Sequence, residues 1–91
     1  MIALVKVTAV RPLGGHRLFI EFSDGSSGGH DLADLAAHSS PLTAPLRDPD
    51  FFARVFIALG VLTWPNGFDL DSIQLHREMA AAGELRHNAA A

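Results

Sequence analysis

Apolar and polar positions alternate near the N-terminus, where Val5, Val7 and Ala9 are interleaved with Lys6 and Thr8, the period of a half-buried strand. Arg11-Pro12 closes that strand, because proline has no amide to donate and restricts the residue before it. Gly14-Gly15 turns the chain. Leu18, Ile20 and Phe22 then alternate with Arg17, Phe19 and Glu21, which gives a second strand with its even-numbered face inward. Ser23-Asp24-Gly25 is a hairpin signal compatible with two registers. A two-residue turn puts Ser27, Gly29 and Asp31 on the core face. A three-residue turn ending in a glycine bulge puts Ser26, Gly28 and His30 there and leads on to Leu32. The bulged form is favoured, since it leaves Asp31 in water, lets Leu32 pack and needs only a positive φ at Gly25.

The second half of the chain changes period. Asp31 to Leu35 reads as one helical turn or a tight loop, and His38 to Pro45 as a Ser/Pro-rich connection anchored by Leu42 and Leu46. Asp48 can cap a short helix with Pro49 at its first position. Phe51, Phe52, Val55 and Phe56 follow as a buried stripe, although two adjacent phenylalanines cannot both face inward on one helix with equal ease. Leu59-Gly60 ends that unit. Val61, Leu62 and Trp64 form an apolar strand, Pro65-Asn66-Gly67 reverses it, and Phe68-Asp69-Leu70 doubles back. Asp71 caps a last helix that carries Ile73, Leu75 and Met79. Ala80 to Gly83 frays it, and residues 80–91 are expected to be an Ala-rich, disordered tail. The order predicts one α+β domain over residues 1–79. Its small curved antiparallel sheet, an N-terminal three-stranded meander plus the Trp64 strand, packs with one or two short helices.

Composition sets the scale of the core. With 91 residues, 48% hydrophobic, there is one core and no room for a second. A core of this size supplies only about 3–5 kcal/mol, so a homodimer or a bound partner is a plausible part of the stability. Ten acidic and seven basic residues give a net charge of −3, and the basic ones are scattered. Phosphate contact dominates nucleic-acid affinity and needs a basic patch, so direct nucleic-acid binding is not expected. A homodimeric nucleic-acid accessory protein is the alternative, and it requires Arg11, Arg17, Arg54 and Arg77 to gather on one face. With no cysteine, disulfides and thiolate metal sites are excluded. No apolar run approaches the roughly 20 residues that span a bilayer, and the N-terminus lacks the basic start of a signal peptide. The expectation is a cytoplasmic, bacterial-type protein without a membrane partner.

The candidate chemistry is sparse. His16, His30, His38, His76 and His87 include no pair spaced i, i+4, and no metal site or cofactor is expected. Ser23, Ser26 and Ser27 lie at a hairpin and not on a strand-turn-helix elbow, so no catalytic residue is assigned. The glycine pairs lead into strands, which leaves no phosphate-binding loop. A small-molecule binder would need a lined pocket, for which the sequence gives no sign. What remains is a recognition surface. Trp64 beside a proline-led turn is a large, stiff contact group, and Asn66, Phe68 and Asp69 with Phe51 and Phe52 complete a candidate partner-binding patch. The cheaper role for Trp64 is to plug the core.

Taken together, Val7, Val10-Arg11-Pro12, Leu18, Phe22-Ser23-Asp24-Gly25, Asp31-Leu32, Leu35, Leu46, Asp48-Pro49, Phe52 and Trp64-Pro65-Asn66-Gly67 with Asp69-Leu70 form an ordered set over residues 3–76. In this order and spacing the chain resembles the domain-of-unknown-function 2442 family of small prokaryotic proteins. The resemblance implies an α+β fold with a curved antiparallel sheet. It also implies a genomic setting beside another small protein, in what look like toxin–antitoxin pairs. Some relatives carry a helix-turn-helix domain after this one; it is not expected here. The family supplies no catalytic residues. The function expected is a non-catalytic, antitoxin-like interaction module that binds a small partner protein, with the product of the adjacent gene as the candidate.

Overall fold

Three consecutive antiparallel strands carry the alternating half of the sequence in a computed structural model that describes residues 5–38 and 40–87. Strands β1 (Val7–Gly14), β2 (Arg17–Phe22) and β3 (Ser26–Asp31) form the meander, and Leu18, Ile20 and Phe22 all face the core. The β2–β3 register pairs Ile20 with Gly28 and Leu18 with His30, with Gly25 at φ 87°. This is the three-residue bulged turn, with Ser26 and Gly28 buried, Asp31 exposed and Leu32 packed.

β1 does not stop at Pro12, as its proline suggested. It continues to Gly14 with irregularities at Val7/Ala9 and Pro12/Gly14, and pairs Pro12 with Leu18. β1 lies at the edge of its sheet, where a missing N–H leaves no ladder bond unmade.

The Trp64 region does not extend that meander. Residues β4 (Phe56–Ala58), β5 (Val61–Thr63) and β6 (Asp69–Leu70) make a second antiparallel sheet in the order β4-β5-β6. The expected phenylalanine helix is correspondingly short. It spans α2 (Pro49–Phe52), with Asp48 accepting from the Asp50 amide, and Phe56 belongs to β4 and is 45% exposed. Thr63, Phe56 and the rest of the hairpin pair across a two-residue turn at Leu59-Gly60. The sheets meet where the Val7 amide donates to the Gly60 carbonyl at 2.8 Å.

With α2, which buries Phe52, three further helical pieces close the core. α1 (Ala33–Ala36) follows the meander, a 3₁₀ turn at Ala44–Arg47 buries Leu46, and α3 (Ser72–Ala81) packs Leu75 and Met79 inward. Leu42, expected as an anchor, is half exposed; the connection is held by Leu46 and by the Thr43 hydroxyl donating to the His38 carbonyl. Asp71 caps α3 by accepting from the Ile73 and Gln74 amides. The Ser72 hydroxyl ties the helix start to the Val5 carbonyl at 2.7 Å.

Residues 80–87 are not a tail. Gly83, at φ 73°, ends α3 with a pair of bonds, Gly83 amide to Ala80 carbonyl and Glu84 amide to Met79 carbonyl. This is a Schellman closure, and it aims the chain back across the meander. β7 (Arg86–His87) then adds a fourth strand beside β3, pairing Ser26 with His87 and Ser27 with Arg86. The last part of the expected tail, residues 88–91, lies outside the described residues.

Candidate protein-docking groove

Trp64 and Phe52, proposed from sequence as surface contacts, are core residues: Trp64 is fully buried and Phe52 is 1% exposed. Three rings stack in this region, with Phe52 and Phe68 each 5.7 Å from Trp64. The Trp64 indole N–H donates to the Phe52 carbonyl at 3.0 Å, so the one polar atom of the ring is satisfied inside. Phe51 and Phe68 are half-buried against the same cluster. Asn66 is exposed but committed to the turn: its side-chain amide donates to the Leu42 carbonyl and its oxygen accepts from the Phe68 amide. Asp69 is exposed on β6. The six residues do not form one accessible patch, because a domain this small uses its largest side chains to fill its interior.

A concavity lies elsewhere. Leu32 and Leu35 from the start of α1, Leu70 from β6 and Leu75 from α3 form an apolar floor, and Asp71, Gln74 and Glu78 form a polar edge. Its volume is about 170 Å³. The α3 contribution follows helix geometry, since positions 71, 74, 75 and 78 recur at i, i+3, i+4 and i+7 and share one face. Leu35 and Leu70 are half-buried, so part of the floor is open to contact. Gln74 donates to Glu78 at 2.9 Å and orders the rim. That spacing was legible in the sequence; what was not legible was that α1 would be brought against it.

The two carboxylates at this groove make no ion pair among the described residues. Among the described residues the close contacts between basic side chains and carboxylates are all made by histidines: His30–Glu84 at 2.7 Å, His76–Asp24 at 2.9 Å and His87–Asp24 at 3.9 Å. Asp71 and Glu78 belong to none of them. All three contacts fasten α3 and the segment after it to the β2–β3 hairpin.

Asp24 is the hub of that fastening. Partial burial opposes its charge, but bonds from the Ser26 hydroxyl at 2.5 Å, from the Ser26 amide and from His76 outweigh burial and hold its carboxyl below the ordinary value. Serine, aspartate and histidine meet here in an order unlike a hydrolytic triad. The Ser26 hydroxyl donates to the aspartate and not to a histidine base, so its proton is used to secure the turn. His16 is also structural, with its Nε2 donating to the Leu46 carbonyl at 2.7 Å. A second concavity of about 190 Å³ runs along Phe22, Ser26 and Arg86. Both are below the roughly 300–1,000 Å³ of small-molecule sites.

The four arginines sit on different elements. Arg11 stacks on Phe19 with its guanidinium 5.1 Å from the ring centroid, on a face that it shares with Arg17. Glu21 and Asp31 stand on the same face, with Asp31 paired directly opposite Arg17. Arg54 follows α2 and Arg77 lies on α3. No helix among the described residues is long and apolar enough to cross a membrane.

Neither a curated protein nor a solved structure matches the chain. A family model does, that of the proteins of unknown function DUF2442, over residues 7–79. That span takes in the meander, the small sheet, α1, α2 and most of α3, both walls of the groove included, and the chain belongs to the DUF2442 family.

Proposed function

We propose that this chain is a non-catalytic, antitoxin-like binding module of the prokaryotic cytoplasm, which captures a small, basic partner protein. The observation that supports this reading is the groove between α1 and α3. Its leucine floor suits an apolar side chain, and its Asp71 and Glu78 edge suits lysines or arginines flanking that side chain. A short amphipathic helix with basic positions on either side of its apolar stripe fits both. The acidic balance of the chain, −3, would speed encounter with such a partner and bias its choice.

The partner of choice for a test is the product of the adjacent gene. Co-expressed, the two should co-elute from a sizing column, and this chain should rescue growth if the neighbour is toxic. Leu35→Ser should remove the complex, and Glu78→Lys should slow association most strongly at low salt. Separate elution together with no rescue would defeat the reading.

A further inference from the structure

The β4–β5 hairpin turns through Leu59 and Gly60, at φ 53° and 80°. Two positive φ values in a two-residue loop make the turn that favours Asn-Gly or Gly-Gly, and a leucine is held there against its own steric preference. Packing within the fold does not explain it, because Leu59 is 98% exposed. Lys6 packs beside the second turn residue: a Cβ added at Gly60 would meet the Lys6 stem at 2.9 Å. Lys6 is exposed and pairs with no carboxylate among the described residues. The tip therefore offers one apolar knob with a cation at its side.

The groove is the chemical converse, a leucine-floored hollow with two carboxylates at its edge. A cavity of about 150 Å³ accepts a benzene-sized group, so this one has room for a single leucine side chain. Register brings knob and hollow to the same end of the molecule. Leu70 of the groove floor pairs with Leu62 across β5–β6, and Val61, next to Leu62, closes the hairpin against Ala58.

We infer that, with no other partner bound, the groove is covered by the hairpin tip of a second copy of this chain. Leu59 of each copy enters the groove of the other, and Lys6 meets Asp71 and Glu78. Because knob and hollow share one end, a two-fold axis there lets both contacts form at once and closes the assembly at a dimer. The inference rests on the groove proposed above as a docking site, but not on the identity of any other partner.

Sedimentation equilibrium from about 10 µM to about 1 mM, the range in which a small interface is populated, tests it. The wild-type average mass should climb from monomer toward dimer. Leu59→Asn should weaken association at least about ten-fold while melting no lower, since asparagine suits the turn. Lys6→Glu and Glu78→Lys should each weaken it, and the two together should recover it. A wild-type chain that stays monomeric to the highest concentration overturns the inference, as does a Leu59→Asn chain that dimerises like wild type. Binding of wild type but not Leu59→Asn to anionic vesicles, without self-association, overturns it in favour of a membrane contact. Leu59→Asn should still bind the adjacent-gene product. Partner capture without dimerisation removes this inference alone, and dimerisation without capture removes the proposed function alone.

Discussion

The carbonyl oxygen of Glu84 occupies the space that a β-carbon on Gly28 would fill. This is the physical reason for a glycine pair in the middle of β3, a strand that is weak by composition. The chain leaving α3 crosses directly over Gly28, and any side chain there must displace backbone. Gly29 next to it is different: its nearest neighbours would be the ends of the Leu13 and Arg17 side chains, at 3.5 and 3.6 Å. Gly28→Ala should therefore lower stability by about 1–3 kcal/mol, the cost of overpacking, and strip amide-exchange protection from Arg86 and His87. Gly29→Ala should be neutral or slightly stabilising, since it only restricts the unfolded chain. Equal melting temperatures for the two variants would show that the crossing is not tight.

Asp24 makes the fold sensitive to acid. Its carboxyl is held below its ordinary value of 3.8 in the folded chain, with burial opposing and the Ser26 and His76 bonds prevailing. A depressed acid binds its proton more readily when unfolded. Its contribution is therefore present above the unfolded value and lost as pH falls through the lower, folded one. Thermal melts of wild type and Asp24→Asn should differ most near neutral pH and converge below about pH 4. A difference that grows as the solution is acidified would reverse the sign and refute the assignment.

Trp64 serves as plug and as reporter. Replacing it with phenylalanine deletes the bond to the Phe52 carbonyl, which keeps its second donor, the Val55 amide. No carbonyl is orphaned, and the loss is one hydrogen bond plus the space of half an indole. The expected cost is roughly 2 kcal/mol. For a domain of this size that is a melting temperature lower by about 8–16 °C. Calorimetry decides it, because the variant loses its only tryptophan fluorescence.

Much of the fold was legible wherever local chemistry decides it. The bulged β2–β3 turn followed from placing Leu32 inside and Asp31 outside, and both short caps, Asp48 and Asp71, followed from residue type. Four features were hidden, either by a misleading local pattern or because their cause is distant in sequence. β4 was masked by a phenylalanine stripe that matches helical spacing, and by a Leu-Gly turn with none of the usual hairpin residues. β1 passed its proline only because the edge of the sheet tolerates it. The groove needed α1 laid against α3, which no local pattern announces. The alanine-rich C-terminus misled most, since low complexity suggested disorder while Gly83 turns the chain at positive φ and Leu85 packs against the core.

Gly83 is the joint on which that segment turns. At φ 73° it lets its own amide and that of Glu84 satisfy the last carbonyls of α3. Gly83→Ala forces an L side chain into that region and should cost about 1 kcal/mol, whereas Gly83→Asn should cost less, because asparagine tolerates it better. Gly28 and Gly83 act on one unit: one lets residues 84–87 cross β3, and the other points them there. Once either change has released the segment, the second has less to destroy. The double variant Gly28→Ala/Gly83→Ala should therefore be more stable than the sum of its singles predicts, by about 0.5 kcal/mol or more. Strict additivity in that cycle would mean that the helix end and the added strand are held independently.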